Sequence, residues 1–437
     1  MIIVSKFGGS SLADANQFKK VKSIIDSDDR RKVIVVSAPG RSEGVDNKIT
    51  DLLYLLHAHL QYGVRHDAVF DMISDRFGTI VKELGLDCAI ASELASVKER
   101  LDPSLPVDWI VSRGEYLTAK ILASLTGFTF VDAKDLIRYK YNSTLDEMLT
   151  GHAFREALKT HGAIVVPGFY GSYPNGAVHV MARGGSDLSG SIASKAVGAS
   201  LYENWTDVSG IFMADPKIIR RPRQIKEITY GELRELAYMG ADVLHESSVL
   251  PLQELDIPIN IRNTNAPDDP GTLIKKHSDD NASVVTGIAG RKDFSVFTVT
   301  KHTHAGKLET IRDVLDIFAK YKLKVEHIPS SIDGFSVIVN SKASSEVFFD
   351  LMSDITQSAG ISDVAIDRDM ALISVVGRNM STKPGIAGKL FSMIGASGIN
   401  INLIAQSSQE INIVVGVKNS DFEDTIKAIY DAFVGKE

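Results

Sequence analysis

The sequence predicts an α/β protein in which a mostly parallel sheet lies between two helical layers, followed by two smaller ferredoxin-like (βαββαβ) modules. Over roughly the first 265 residues, short runs of β-branched residues alternate with stretches whose apolar residues have helical spacing. Repeated βα alternation is typical of a three-layer αβα sandwich. The remaining part contains an internal repeat instead, so we expect the 437 residues to divide into two or three domains.

Local patterns predict the strands and helices of the first part. The run "RKVIVVSA" predicts a buried strand, because its β-branched residues continue without a polar interruption. The run "NKITDLLYLLHAHLQYG" predicts a helix that ends at its glycine. Residues 264–272, "TNAPDDPGT", are rich in turn formers and predict a linker. Further strands are predicted in "FTFVDA", "GAIVVPGF", "VHVMA", "ASLYENW" and "IPINIRN", and further helices in "LDEMLTGHAFREALKTH" and "DLSGSIASKAVGA".

The second part repeats its pattern of apolar residues at a spacing of 76 residues. Residues 294–299 ("FSVFTV") match 370–375 ("MALISV"), and 335–339 ("FSVIV") match 411–415 ("INIVV"). Each copy predicts the order strand, helix, strand, strand, helix, strand, which is the split βαβ plan of ferredoxin-like domains. The alternative is a chance similarity between amphipathic elements.

The composition excludes several classes of protein. The net charge of −7 argues against a nucleic-acid partner or an anionic membrane, because phosphate groups are bound by basic surfaces. The sequence contains no stretch of 18 apolar residues, so no membrane span is predicted. The single cysteine, Cys88, is typical of a reducing compartment, and the apolar run at residues 1–4 is too short for the core of a signal peptide. We therefore expect a cytoplasmic protein.

The segment "SKFGGSS" (5–11) follows a short apolar run and precedes a helical pattern. The glycines, Gly8 and Gly9, allow close backbone approach to a ligand, and a following helix start supplies free N–H groups. Lys6 adds a full positive charge, and Ser10 a hydroxyl. This combination suits phosphate oxygens, although the lysine precedes the glycines, unlike in a Walker A loop. A serine-capped glycine turn with a solvated lysine is the alternative.

A second segment, "VMARGGSDLSGS" (180–191), has the same character. Arg183 can bind a carboxylate or phosphate through two hydrogen bonds. The following Gly-Gly-Ser, which ends at Ser186, predicts a second anion nest, and Asp187 lies where it could cap a helix. A capped glycine turn is again the alternative. Two such nests in one sheet, each with its own cation, favour a phosphate-transfer site.

Two further segments are informative only in combination. Thr206 and Asp207 follow a predicted strand in "WTDVSGIFMADPK" (205–217), where polar groups could hold an adenine and ribose. Glu115, in "VSRGEYLTAK" (111–120), is either a charge that stabilises a helix N-terminus or a ligand for an ammonium group.

Five segments in their order resemble a known family. They are "KFGGSSLA", "SRGEYLTAKILA", "GFYG…ARGGSDLSGS", "WTDVSGIFMADPK" and "IPINIRN". Together they resemble the monofunctional aspartate kinases of the amino-acid kinase fold, and the repeated modules resemble that family's tandem ACT domains. The resemblance covers essentially the whole chain. It implies a catalytic domain over 1–280 and ACT domains over 294–362 and 363–437, with 283–291 as a candidate additional strand.

The resemblance implies a defined reaction. Aspartate kinases use ATP and Mg²⁺ to phosphorylate the β-carboxylate of L-aspartate, which gives 4-phospho-L-aspartate, the first step toward lysine, threonine and methionine. That carboxylate, with an ordinary pKa of about 3.9, is already ionised at neutral pH, so no general base is needed. No protein metal site is expected. The alternatives are another kinase of this fold, for glutamate or acetylglutamate, and a non-catalytic amino-acid sensor.

The resemblance also implies roles for individual residues. Lys6 would neutralise charge on the transferred phosphoryl group, and Asp187 would orient Lys6. Glu115 would bind the α-ammonium group of aspartate and Arg183 its α-carboxylate. Contacts with ATP are implied for Lys6, Gly8, Gly9, Ser10, Thr206, Asp207, Phe212 and Lys217, and further contacts with aspartate for Thr50, Phe169 and Ser186.

The sequence departs from the family pattern at two positions. Where the family often has Lys-Val-Leu-His-Pro, this chain has Asp-Val-Leu-His-Glu from Asp242 to Glu246, so the nucleotide contact of that lysine cannot be transferred to Asp242. The usual tyrosine after "VxGI" is Phe212, which keeps the ring but loses the hydroxyl.

The ACT resemblance implies regulation and assembly. Such modules commonly pair across a dimer and bind an amino acid at the interface, so we expect feedback inhibition by lysine, threonine or both, in a homodimer or a tetramer. The candidate contacts are the loop 303–309 and Val325, Glu326, Ile328, Ser330 and Ser331. Glu326 would pair with the ligand ammonium; the alternative is a solvent-facing strand residue.

Overall fold

The computed structural model describes residues 1–42, 46–182, 184–241, 244, 246–278, 284–301, 307–358, 360–378, 380, 383–406 and 411–435. The chain forms two compact units. The first contains Met1–Ile211, Gln224–Tyr230 and Val243–Ser278, and the second contains Phe212–Arg223, Gly231–Asp242 and Asp279–Glu437.

The first unit is an α/β structure with short strands and longer helices. Its strands are Ile3–Phe7 (β1), Arg31–Val36 (β2), Thr129–Phe130 (β3), Ile164–Pro167 (β4), Tyr170–Ser172 (β5), Val178–Val180 (β6), Leu201–Thr206 (β7), Glu227–Thr229 (β8), Ile259–Asn263 (β9) and Thr272–Lys275 (β10). Its helices are Ala15–Asp26 (α1), Ile49–Gln61 (α2), Asp67–Leu84 (α3), Ile90–Glu99 (α4), Val107–Val111 (α5), Arg113–Thr126 (α6), Ala133–Leu136 (α7), Glu147–His161 (α8) and Gly185–Val197 (α9). A later helix, Glu246–Glu254, also belongs to this unit.

The main sheet of the first unit has the strand order β3-β4-β2-β1-β7-β9-β10-β8. All neighbours from β3 to β9 are parallel, whereas β10 is antiparallel to β9 and parallel to β8. Strands β5 and β6 form a separate antiparallel hairpin. Because the carboxyl ends of parallel strands meet at one edge, side chains that follow β1, β2, β4 and β7 are brought together there.

Helices cover both faces of the central strands. Phe7 of β1 is paired in register with Trp205 of β7, and both side chains belong to the apolar core that α1 to α4 and α6 complete. Lys6 and Asn204, one position earlier on each strand, point to the opposite face because strand side chains alternate. That face is covered by α9, whose Asp187 contacts Lys6.

A buried charge network joins the central strands on the core side. Glu203 of β7 accepts hydrogen bonds from Arg31 Nε (2.8 Å), Ser5 Oγ (2.7 Å) and Trp205 Nε1 (3.0 Å). Burial opposes ionisation of Glu203, but these contacts outweigh it and lower its pKa. A buried ion pair of this kind is tolerated because its remaining hydrogen-bonding positions are satisfied.

The linker predicted at 264–272 is wrong. These residues connect β9 to β10, which are antiparallel neighbours in the same sheet. Turn-forming residues suit a connection within a sheet as well as one between domains, so their composition could not distinguish the two.

The second unit contains a single six-stranded antiparallel sheet. Helix α10 is Tyr230–Tyr238, of which Tyr230 belongs to the first unit, and the first unit's helix Glu246–Glu254 is α11. The other helices and strands of the second unit are Gly287–Lys301 (β11), Lys307–Lys320 (α12), Val325–His327 (β12), Gly334–Asn340 (β13), Ser341–Glu346 (α13), Phe348–Gln357 (α14), Ile361–Val376 (β14), Ile386–Ala396 (α15), Leu403–Gln406 (β15), Asn412–Lys418 (β16) and Phe422–Phe433 (α16). The strand order is β12-β13-β11-β14-β16-β15.

The two ferredoxin-like modules share their long central strands. β11 pairs with β13 over Phe294–Thr300, and with β14 along its whole length. The part of β11 from Gly287 to Arg291 pairs with 372–376, which is the first strand of the second repeat. Residues 287–291 therefore supply the fourth strand of the second module. The predicted fold class is confirmed.

None of the helices within the described ranges combines the length and the apolarity that crossing a bilayer requires.

Candidate active site

Three side chains contact one another at the carboxyl end of β1: those of Lys6, Asp187 and Asn204. Lys6 Nζ lies 2.6 Å from Asp187 Oδ1, and the two side chains are only 10% and 20% exposed. Asn204 Nδ2 donates to the same Asp187 oxygen at 3.1 Å, and its Oδ1 lies 3.5 Å from Lys6 Nζ. The lysine ammonium is thereby held just before the glycine segment that follows β1.

The predicted helix cap at Asp187 is wrong. Helix α9 follows Gly184, whose φ of 82° is in the left-handed region that favours glycine, and no side chain caps it. Asp187 lies in the first helical turn and pairs with Lys6 instead.

The segment after β1 forms a tight backbone turn. The N–H of Gly8 donates to the Trp205 carbonyl, and those of Ser11 and Leu12 donate to the carbonyls of Gly8 and Gly9. A Cβ on Gly8 would lie 3.7 Å from Lys6 Nζ. Within the described part of the chain, the N–H groups of Gly9 and Ser10 donate to no acceptor. Free N–H groups beside a lysine are what a phosphate needs, so this segment fits the phosphates of a nucleotide.

The loop after β2 holds this turn in place. The N–H of Gly40 donates to the Gly9 carbonyl at 2.8 Å, and a Cβ on Gly9 would lie 2.8 Å from the Ala38 carbonyl oxygen. Arg76 of α3 donates to the carbonyls of Ala13 (2.7 Å) and Gly40 (2.9 Å). Only a glycine at position 9 allows the two loops to pack this closely.

Glu115 is a buried carboxylate with one free oxygen. It lies in the first turn of α6 and is 4% exposed. Its Oε1 accepts a hydrogen bond from the N–H of Ala38 at 3.0 Å, while Oε2 has no partner among the described residues. Burial raises the pKa of Glu115 to about 7, because the backbone N–H groups of Ala38 and of Glu115 itself do not offset the loss of water. A buried, unpaired carboxylate oxygen is suited to a cationic ligand group.

Phe169 and Ser186 lie where β4 has ended and where α9 begins. Phe169 has a φ of 76°, and its N–H donates to Ser189 Oγ of α9. A Cβ on Gly185 would lie 2.8 Å from the Phe169 ring, and one on Gly168 would lie 2.9 Å from Ser186 Cβ. The strained backbone of Phe169 is therefore fixed against the start of α9.

Thr50 lies in the first turn of α2. The residue before it, Ile49, packs against the start of α6, since a Cβ on Gly114 would lie 3.2 Å from Ile49 Cγ2. Thr50 is therefore near the helix start that carries Glu115.

Thr206 is the last residue of β7 and Asp207 follows it, next to the glycine turn. Thr206 Oγ1 donates to Asp207 Oδ1 at 3.1 Å, and the Thr206 carbonyl accepts from the N–H of Thr264. Both lie at the carboxyl edge of the sheet, where they could border a nucleotide.

The sequence profile of the amino acid kinase family matches residues 1–263, and that of an ACT domain matches residues 373–433. Aspartokinase 3 of Bacillus subtilis (strain 168) is 30% identical over 98% of this chain and 98% of its own length. The crystal structure of Clostridium acetobutylicum aspartate kinase, described as an allosteric enzyme, has 45% identity and a TM-score of 0.93 over 99% of this chain and 100% of that one. The chain belongs to the aspartate kinases of the amino acid kinase family. Lysine-sensitive aspartokinase 3 of Escherichia coli (strain K12) is a more distant relative, 26% identical over 98% of each chain.

As an aspartate kinase, the protein is an ATP-dependent phosphotransferase. Of the residues predicted for its site, the structure brings eleven into the first unit around the ends of β1, β2, β4 and β7: Lys6, Gly8, Gly9, Ser10, Thr50, Glu115, Phe169, Ser186, Asp187, Thr206 and Asp207.

The structure does not assign three further predicted residues of the aspartate kinase, Arg183, Phe212 and Lys217, to this group. Phe212 and Lys217 fall in the segment Phe212–Arg223 of the second unit, where the N–H of Lys217 donates to Asp215. Arg183 and Asp242 lie outside the described residues. The roles of Arg183, Phe212 and Lys217 stay predictions from the resemblance, and no role is predicted for Asp242.

Several residues that contact the candidate site were not predicted from the sequence. Asn204 lies in a buried strand, and Ala38 and Gly40 act through backbone groups. The signal for the latter two is the "SAPG" that follows the buried strand β2, since loops at that edge border the ligand site. Arg76, in the middle of a helix, has no comparable signal.

In the first ACT module of the kinase, Glu326 is buried. Its side chain is 4% exposed, with Oε1 3.2 Å from Arg291 and 3.6 Å from Lys324 Nζ. The alternative that it faces solvent is therefore wrong. Ile328 is 42% exposed, Val325 lies on β12, and Ser330 and Ser331 begin the turn to β13, whereas residues 302–306 of the predicted loop lie outside the described residues.

Proposed function

We propose that the enzyme transfers the γ-phosphoryl group of ATP to the β-carboxylate of L-aspartate and forms 4-phospho-L-aspartate, the first step toward lysine, threonine and methionine. The observation that carries this assignment is the free, buried oxygen of Glu115 at the same sheet edge as the Lys6–Asp187 pair. The Glu115 oxygen would bind an ammonium group and the Lys6 ammonium a phosphate. The two positions therefore suit an amino acid and a nucleotide.

The proposed substrate site binds each charged group of aspartate separately. Glu115 accepts from the α-ammonium group, and Thr50, Phe169 and Ser186 border the pocket. Arg183, assigned through the resemblance, would bind the α-carboxylate in a bidentate way. With both α-groups held, the β-carboxylate is the group that remains free to react.

The proposed nucleotide site uses the glycine turn. The N–H groups of Gly9 and Ser10 and the ammonium of Lys6 bind phosphate oxygens, with Gly8 leaving room for them. Asp187 keeps Lys6 directed at the phosphates. Thr206 and Asp207, with Phe212 and Lys217 from the resemblance, would surround the base and ribose.

Mg²⁺ would enter with the nucleotide. No group of three or more His, Cys, Asp or Glu side chains within the described ranges is arranged to hold a metal ion. Mg²⁺ binds nucleotide phosphates through few protein ligands and keeps several waters, so such a group is not required. The ion neutralises charge on the phosphates.

The catalytic work in this mechanism is positioning and charge neutralisation. The β-carboxylate is already an anion at neutral pH, so no residue has to remove a proton. Its attack on the γ-phosphorus brings two anions together, and Lys6 reduces that repulsion. The bond from the phosphorus to the β,γ-bridging oxygen breaks as the carboxylate forms its own, and ADP leaves.

A substrate panel tests the reaction. The purified enzyme, with ATP and Mg²⁺, is assayed with hydroxylamine, which converts acyl phosphates to coloured hydroxamates. We expect hydroxamate with aspartate and little with glutamate or N-acetylglutamate. A preference for either of the latter would replace aspartate as substrate, and Mg-ATP binding without any product would indicate a non-catalytic sensor.

The second unit is proposed to regulate this activity through lysine, threonine or both. Among its relatives, the Escherichia coli enzyme is lysine-sensitive and the Clostridium enzyme allosteric. Helix α10 gives a physical route: it follows β8 of the first unit in the chain but packs within the second. Its buried Glu232 accepts from Arg378 at 2.9 Å, and Glu235 accepts from Asn412. A ligand that moves the second unit's sheet would therefore move α10.

Glu326 is proposed as a contact of the effector ammonium, with Val325, Ile328, Ser330 and Ser331 around it. We expect Glu326→Ala to raise the lysine concentration for half inhibition roughly tenfold or more, since a charge-assisted hydrogen bond is lost. Activity against lysine and against threonine measures it. Glu346→Ala, an exposed carboxylate on α13, is the control. Inhibition unchanged by Glu326→Ala would remove Glu326 from the site.

Assembly and location follow from the same assignment. We propose a cytoplasmic homodimer that forms through the ACT modules, or a tetramer of such dimers.

A further inference from the structure

Asn204 is a buried amide in the middle of the main sheet. It is 5% exposed and is the register partner of Lys6 on the neighbouring parallel strand. An amide in such a place costs free energy unless its groups are hydrogen-bonded. Tyr202 and Thr206 lie on the same face of β7 as Asn204. This face therefore carries polar side chains, although most of the strand is buried.

The amide bridges two opposite charges. Its Nδ2 donates to Asp187 Oδ1 at 3.1 Å, and its Oδ1 faces Lys6 Nζ at 3.5 Å. An amide offers both a donor to the carboxylate and an acceptor to the ammonium without carrying charge. Because Asp187 Oδ1 accepts from both Lys6 and Asn204, the carboxylate is fixed from two directions.

We propose that Asn204 is a positioning residue for phosphoryl transfer, and that it sets the orientation of Asp187 and hence the place of the Lys6 ammonium. The inference rests on the proposed role of Lys6 at the γ-phosphate. Without the Asn204 amide, the Asp187 carboxylate accepts one hydrogen bond fewer and can rotate, and the Lys6 ammonium moves with it. Small displacements of a catalytic charge have large effects on rate, because the charge must meet the transition state in place.

The decisive variant is Asn204→Leu, which keeps the volume and removes both hydrogen-bonding groups. We expect kcat at saturating aspartate and ATP to fall roughly ten- to hundredfold, the loss of one hydrogen bond to a charged group. KM for aspartate should stay within about twofold, because Glu115 is untouched. The matched control is Ser5→Ala, which removes a buried hydrogen bond from the same strands on their other face and should leave kcat unchanged.

A second variant gives a signature that a purely structural role lacks. In Asn204→Asp, two carboxylates face each other, so one of them holds a proton to higher pH. When protonated, the new carboxyl can donate to Asp187 as the amide does. Among the described residues, the titratable groups that face position 204 are Lys6 on β1 and Asp187 on α9. The Tyr202 hydroxyl contacts the Asp187 carbonyl, and burial keeps the pKa of Tyr202 well above 10. The kcat of Asn204→Asp, relative to wild type, should therefore rise as the pH is lowered from 8 to 6.

The outcomes separate this inference from the assignment of the site. If Lys6→Met keeps wild-type kcat, the proposed role of Lys6 fails. If Lys6→Met is inactive but Asn204→Leu keeps kcat within about twofold of wild type, or loses activity only through KM, the role of Asn204 is refuted. Should Asn204→Leu fail to fold, Asn204→Asp decides: a kcat ratio to wild type that does not change with pH overturns the proposal.

Discussion

Replacing Lys6 by methionine is expected to lower kcat by roughly 10²–10³-fold, as the loss of one preorganised electrostatic donor does in other enzymes. Methionine retains the length and most of the apolar stem of lysine, so the chain should still fold. What disappears is the charge that lies 2.6 Å from Asp187 and next to Gly8. Steady-state hydroxamate formation with saturating aspartate and ATP measures the effect.

Two measurements accompany this prediction. Circular dichroism and thermal unfolding establish that Lys6→Met is folded. Lys22→Met removes a partly exposed lysine of α1 that pairs with Asp26, and it should retain wild-type activity. Turnover of Lys6→Met close to wild type would show that the phosphoryl group is transferred elsewhere.

The second large effect is expected at Glu115. Glu115→Gln keeps the hydrogen bond from Ala38 but removes the charge, so KM for aspartate should rise roughly 10- to 100-fold, the value of a hydrogen bond to a charged group. The control is Glu93→Gln, a carboxylate whose partners are Lys120 and the Tyr116 hydroxyl and which should leave KM unchanged. An unchanged KM in Glu115→Gln would place the substrate ammonium elsewhere.

The raised pKa of Glu115 makes this prediction dependent on pH. With a pKa of about 7 before ligand binds, the group is largely protonated at pH 6 and largely ionised at pH 8. Only the ionised form pairs with an ammonium group, so the affinity of the wild type for aspartate should increase roughly tenfold over this range. Glu115→Gln should show no such increase. Titration calorimetry in buffers of different ionisation enthalpy would detect the proton released on binding.

The same shift predicts a stability effect of defined sign. The folded state holds the Glu115 proton more tightly than the unfolded state, whose pKa is near 4.5. The free energy of unfolding therefore decreases as the pH rises from about 4.5 to about 7, by an amount on the order of 3 kcal/mol at most. Glu115→Gln should accordingly be more stable than wild type at pH 8 and equal to it near pH 4. Denaturant titrations at the two pH values compare them.

Much of the candidate site could be predicted from local sequence. The glycines after β1 and before α9 mark places where a backbone must turn sharply or approach another group, and a nearby Lys or Asp is visible in the same segment. The acidic residue at the start of α6, Glu115, could also be identified from the sequence, but its burial and its raised pKa could not. Whether Glu115 was a helix-end charge or a ligand depended on its burial and on the number of its hydrogen bonds, which no local pattern reports.

Other parts of the site depend on contacts between distant segments. Asn204 became part of it because β1 and β7 align so that Lys6 and Asn204 are register partners. Arg76 reaches two loops from the middle of α3. The burial of Glu326 results from packing against Arg291 and Lys324, whereas its strand position alone is compatible with either face.

The sequence by itself determined the class of the fold and the repeated ferredoxin-like plan, because these follow from the periodicity of apolar residues. The tertiary structure alone decided how the charges meet. The Lys6–Asp187–Asn204 group, the free oxygen of Glu115 and the sharing of β11 between two modules all depend on strand register and desolvation, which are properties of residues far apart in the chain.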